Sequence, residues 1–144
     1  MRLKDYFTVY AGGDLQKDCF SPIKTDINKY PIFSNSLENY GLFGYTSKPN
    51  YLHNSLTITG RGNVGHSFYR SECFDAIIRL LVLEPKKNVN SKYFNYLINN
   101  SVIFPIESTG VPQLTRPQVE NTEVNVIHTN VQQDYIVNIN RRLL

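Results

Sequence analysis

Thr57-Ile58-Thr59-Gly60-Arg61-Gly62-Asn63-Val64-Gly65 matches the nucleotide-binding spelling G-x-G-x-x-G, yet its surroundings are wrong for one. A dinucleotide fingerprint needs a helix directly after the glycines, because the helix N-terminus holds the pyrophosphate. Here His66-Ser67-Phe68-Tyr69-Arg70 follows, aromatic and alternating, which predicts a second strand. The stretch reads as strand, glycine turn, strand, its glycines placed where φ is positive or another backbone comes close. Arg61 and Asn63 stand at the tip. An arginine and an amide suit base edges and phosphates, since each makes paired hydrogen bonds. Taken alone, such a turn is more often an ordinary solvated hairpin.

The 144 residues, 41% of them hydrophobic, suit one domain with a core of its own. Cys19 and Cys73 lack paired spacing, and no apolar run at the N-terminus resembles a leader, which points to free thiols in a reducing cytosol. The longest apolar stretch, Ala76 to Leu83, is interrupted by Arg79 and falls far short of the roughly 20 residues of a membrane span. Net charge is only +3, but it is unevenly placed. No acidic residue occurs between Glu38 and Glu72, a window holding Lys48, Arg61 and Arg70; without those three, the remaining 12 basic residues equal the 12 acidic ones. Tyr40, Phe43, Tyr45, Tyr51, Phe68 and Tyr69 lie among these cations, a mixture that nucleic-acid surfaces favour. Phe43 and Phe68 read more naturally as core.

Leu3 to Tyr10 predicts an opening strand or short helix that ends at Gly12-Gly13. Tyr30 to Ser34 predicts a short strand, with Pro31 confining it to a strand start or an edge. Asn39 to Thr46 reads as a loop held by its own apolar side chains, and Ala76 to Leu83 as a buried strand. Tyr93, Phe94, Leu97 and Ile98 recur at helical spacing behind an Asn88 or Asn90 cap, with Asn99-Asn100 as the stop. Ser108 to Thr115 is a loop, Thr115 caps a short turn containing Pro117, and Glu123 to Ile127 alternates like a strand. Thr129-Asn130-Val131-Gln132 has capping-box form and opens a terminal helix carrying Val131, Tyr135, Ile136, Ile139 and Leu143 on one face.

Catalytic chemistry finds little support. His53, His66 and His128 stand apart without zinc-site spacing, and no Walker lysine, nucleophile elbow or carboxylate pair occurs. Cys73 with His66 as its base is conceivable, but such a lone pair is far more often structural. The chain reads as a binder without a cofactor or metal.

Several passages in order resemble the target-recognition domain of the specificity subunit of type I restriction-modification systems. Tyr30-Pro31-Ile32-Phe33-Ser34-Asn35-Ser36 followed by Gly41-Leu42-Phe43-Gly44-Tyr45 is similar to that family's PVYSS…GI.GY passage, and Leu56 to Gly65 to its ITI.RKG..G passage. Asn90 to Leu97 resembles its YL.Y.L helix, Gly110 to Thr115 its G…PQLT loop, and Val131 to Val137 its EQ..IV helix start. Two departures stand out: the prolines usual before the last helix are replaced by Ile127-His128-Thr129-Asn130, and Gln132 stands where Glu is frequent.

The resemblance implies a single compact α+β domain with a twisted mixed or antiparallel sheet and a few short helices over residues 1–127. Residues 128–144 would begin the family's spacer helix. It also implies a non-enzymatic reader of double-stranded DNA that recognises half of a split sequence. Partner modification and restriction subunits would supply adenine methylation, with base flipping, and cleavage. Arg61 and Asn63 are then the foremost base readers or phosphate grips. Ser34, Asn35, Tyr45, Thr46 and Lys48 are expected on the same surface, with Gln113, Thr115 and Arg116 reaching it from the later loop. Tyr135, Ile139 and Leu143 are expected to meet a partner or a second copy, and a two-fold dimer would read a palindromic split target. The rival reading is an interaction or decoy module that docks on the methyltransferase subunit without reading DNA. A small hydrolase is a distant third.

Overall fold

The computed structural model describes residues 1–105, 110 and 112–126. The glycine turn does join two strands. β5 (Ser55–Ile58) and β6 (Ser67–Arg70) pair antiparallel, with Ser55 opposite Arg70 and Ile58 opposite Ser67. On the other flank of β5 lies β8 (Leu81–Pro85), and beyond it β1 (Phe7–Ala11), giving an antiparallel sheet in the order β1-β8-β5-β6.

Period-two alternation sends successive residues of the interior strands to opposite sides of the sheet. Leu81 and Leu83 of β8 enter one core with Leu56 and Ile58 of β5, whereas Val82 enters another with Phe74 and Leu80. β8, covered on both sides, is apolar through Leu81, Val82 and Leu83, whereas the second face of β5 is Ser55 and Thr57, buried with their hydroxyls bonded to the Leu52 carbonyl and to Arg70 Nε. The first core is closed by α1 (Ser91–Ser101), which buries Tyr93, Phe94 and Ile98 and sets Phe94 edge-on to Phe7 at 5.1 Å. The Asn90 side chain caps α1 by accepting the Tyr93 N–H. A second short helix, α2 (Arg116–Glu120), contributes Val119 behind a Thr115–Gln118 capping box.

The anticipated α+β class holds, but there are two sheets. The second, in the order β2-β4-β3-β7, combines β2 (Phe20–Ser21), β4 (Leu42–Thr46), β3 (Tyr30–Phe33) and β7 (Asp75–Ala76). It is mixed, because β3 and β7 run parallel. Pro31 precedes Ile32, where β7 joins, so its position at a strand start is as read from the sequence.

Several expectations are corrected. Ala76 to Leu83 is not one strand. It ends β7, turns through Ile77–Leu80 with Ile78 and Arg79 at φ +52° and +59°, and then begins β8 in the other sheet. An apolar run crossing between two cores is indistinguishable by composition from a single buried strand. Leu42 to Thr46, read as loop, is β4, because Gly44 lets Phe20 and the β2 backbone pack over it. Phe43 is 45% exposed and rests on Phe20 instead of entering the core. Helix α1 runs past Asn99-Asn100 to Ser101. Glu123 forms an isolated bridge with Arg2, and no strand follows it through residue 126. The expected terminal helix, with Tyr135, Ile139 and Leu143, falls outside the described residues, as does the boundary expected at 127.

Candidate nucleic-acid interface

The turn between β5 and β6 is built by its own hydrogen bonds. Gly65 N–H donates to the Thr59 carbonyl at 2.8 Å, His66 N–H to Thr59 Oγ1 at 3.0 Å, and Thr59 Oγ1 to the Asn63 carbonyl. Gly62 sits at φ +73°, a conformation other residues adopt only with strain. Gly60 is needed for another reason: a Cβ there would lie 3.1 Å from the Arg79 and Leu114 carbonyl oxygens alike.

Three segments distant in sequence converge on Gly60. Its N–H donates to Asn35 Oδ1 at 2.8 Å, its carbonyl accepts the Leu114 N–H at 2.9 Å, and Asn35 Nδ2 donates to the Ile78 carbonyl at 2.7 Å. Next to it, Arg61 and Gln113 form a bridge. The structure thus brings together Asn35, Arg61 and Gln113, each singled out from sequence, and adds exposed Arg79 from the neighbouring turn. Arg79 was legible only as an interruption in an apolar run. The Arg61 and Asn63 side chains make no hydrogen bond or ion pair among the described residues, whereas the Asn35 amide bonds through both its oxygen and its nitrogen.

The other sequence-predicted residues do not all join this surface. Ser34 closes the β3–β4 loop through its N–H to the Gly41 carbonyl at 2.8 Å. Thr46 is only 1% exposed; its hydroxyl accepts the Lys48 N–H at 3.1 Å and contacts Cys19 Sγ at 3.4 Å, so it is a buried structural group. Lys48 is exposed beside the Leu15–Cys19 segment, and Tyr45 is half-buried in a cavity with Arg70. Thr115 caps α2, and Arg116 pairs with Glu120 at 3.6 Å.

The acid-free window does not form one basic face either. Arg70 points its charge into the protein and is 5% exposed. Its Nε donates to Thr57 Oγ1 at 3.0 Å and Nη2 to the Tyr40 carbonyl at 2.8 Å, while the guanidinium lies 3.5 Å from the Phe33 ring centroid and 4.9 Å from that of Phe68. Burial lowers its pKa to about 9, which leaves it a cation at neutral pH. Phe68 is half-buried against this guanidinium.

Among the described residues, no group of three or more His, Cys, Asp or Glu side chains could hold a metal, and no helix is long and apolar enough to cross a membrane. The imidazole facing Cys73 Sγ, at 3.9 Å, is that of His53 and not His66.

Comparison with known proteins bears out the resemblance. Residues 1–139 match the family model described as type I restriction modification DNA specificity domain. Two Mycoplasma pneumoniae proteins named as type I specificity subunits are similar. S.MpnORF507P is 28% identical over 92% of this chain and 36% of its own length; S.MpnORF89P is 25% identical over 88% and 37%. The chain therefore spans little more than a third of these relatives. Among solved structures, a chain of a type I R-M system superposes with TM-score 0.77 at 13% identity, over 99% of this chain and 37% of that one. The HsdS subunit of Thermoanaerobacter tengcongensis gives 0.69 at 14% identity, over 98% and 36%. The S subunit of M. genitalium gives 0.63 at 16% identity, over 84% and 32%. At these identities the solved structures speak for the fold, and the family match over nearly the whole sequence speaks for kinship: this chain belongs to the type I restriction modification DNA specificity domain family.

Proposed function

We propose that this chain is a single target-recognition unit that reads a short double-stranded DNA sequence for a type I restriction-modification assembly. It performs no chemistry itself. Modification and restriction subunits act on the site it selects, and two copies related by a two-fold axis would read a palindromic, split target.

The observation that carries this reading is the convergence on Gly60. Asn35, Gln113–Leu114 and the Ile78–Arg79 turn brace the backbone of the glycine turn, while the Arg61 and Asn63 side chains keep their hydrogen-bonding groups unused among the described residues. A rigid turn with free bidentate donors is what direct readout needs, because order already present in the free protein need not be created on binding. Arg79 and Gln113 flank the turn as further contacts, with Arg79 suited to phosphate.

The test is selection of bound duplexes from a random pool, run with the chain alone and with a modification subunit. Enrichment of one short motif is expected in both arms, duplicated about a two-fold axis if the chain dimerises. A pool that stays random in both arms would refute the reading.

A further inference from the structure

Away from the glycine turn, a cavity of about 310 Å³ opens between the two sheets, with Arg70 in its wall. Three cations, Lys24, Lys29 and Arg70, line it against one carboxylate, Glu72. Arg70 is the informative member. A buried guanidinium normally has a counter-ion, because removing a charge from water is costly. This one has none within ion-pair distance among the described residues, where the ion pair found is Arg116–Glu120. Its Nε and one Nη2 bond are spent on Thr57 and Tyr40, and Nη1 has no protein partner among the described residues. Stacking on Phe33 offsets part of the desolvation but supplies no acceptor. Tyr45, half-buried in the same wall, makes no described side-chain hydrogen bond.

We propose that this cavity is a phosphate site in which Arg70 is the fixed donor in the wall and Lys24 and Lys29 close over the anion. Three cations against one carboxylate suit a multiply charged oxyanion, and a guanidinium fork held by two hydrogen bonds presents its free N–H groups in a defined direction. The phosphate comes either from a nucleic-acid backbone or from a free phosphate species. The chemistry is the same, and the site stands whether or not the chain reads DNA as proposed above.

Lys24 and Lys29 are exposed, so Lys24→Gln with Lys29→Gln preserves the fold, which circular dichroism checks. Inorganic phosphate is titrated into the intact chain at constant ionic strength, with chloride as the balance. The wild type should bind phosphate, and the double variant at least fivefold more weakly. No phosphate effect beyond that of chloride, or equal affinity in both proteins, would overturn the site. A parallel titration with a short duplex identifies the source. If the double variant weakens all duplex sequences alike and flattens the salt dependence, the phosphate is the backbone's. If duplex binding is unchanged while inorganic phosphate binding falls, the ligand is a free phosphate. Failure of the DNA reading itself appears separately, as absent duplex binding with phosphate binding intact.

Discussion

Asn35 holds Gly60 through a single hydrogen bond of 2.8 Å from the glycine N–H to the amide oxygen, and its amide nitrogen holds Ile78 at 2.7 Å. The two partners fix the amide orientation, since one must donate and the other accept. Asn35→Ala leaves a backbone N–H and a carbonyl unpaired at the seam between the sheets. A loss of about 1–3 kcal/mol is expected, read as a lower urea midpoint at constant slope. An unchanged midpoint would mean that water replaces the amide and that the turn is not braced from the β3–β4 loop.

Arg61→Ala separates two kinds of contact. If Arg61 reads a base, affinity for the selected sequence falls by about 1–3 kcal/mol and discrimination relaxes at one position. If it grips phosphate, all sequences weaken together and the salt slope drops by about 1. Arg79→Ala is expected to follow the second pattern. Duplex titrations at three salt concentrations distinguish the cases, and a variant indistinguishable from wild type removes Arg61 from the interface.

Much of this was legible in the sequence, and the reasons are local. Strand, turn and strand around Gly60 follow from alternation and glycine spacing, and the caps at Asn90 and Thr115 follow from side-chain chemistry one helical turn long. The partition into two sheets was hidden, because β7 and β8 together read as one apolar run whose turn is made by Ile78 and Arg79 in place of Gly or Asn. At the site, Arg61 and Asn63 are visible as turn-tip donors, whereas the bonds by which Asn35 braces Gly60 and Ile78 are not. Thr46 shared the motif but points inward. Arg70 adds to the basic count of its window but is buried against Phe33. Which face a side chain takes depends on pairing partners dozens of residues away, and composition carries no record of them.

Ile78 should be replaceable at a profit in stability. It is β-branched at φ +52°, a region where such residues are outliers, and is 53% exposed, so little burial is lost on substitution. Ile78→Asn places a residue tolerant of this conformation at the same turn position. A gain of about 1 kcal/mol is expected from the relieved strain. A neutral or lower unfolding free energy would show that the Ile78 side chain contributes packing that outweighs its backbone cost. A DNA affinity that falls despite higher stability would place this turn at the interface.

Tyr51 links the sheets to alkaline stability. Its ring lies 5.6 Å from that of Phe74 and 5.9 Å from that of Tyr10, and its pKa is raised above the ordinary value of 10.0, first by burial, then by Asp75, Glu84 and Tyr10. As pH passes 10, the unfolded chain releases the Tyr51 proton while the folded protein retains it. The unfolded state then binds fewer protons, so stability falls with rising pH until the folded pKa is reached. Below pH 10 both states hold the proton and the contribution is constant. Tyr51→Phe removes the titration but keeps the ring. The difference in unfolding free energy between wild type and variant should therefore be flat below pH 10 and shift against the wild type above it. A difference that stays flat through the alkaline range would mean that the phenol titrates alike in both states, and that the sheets open around it before it ionises.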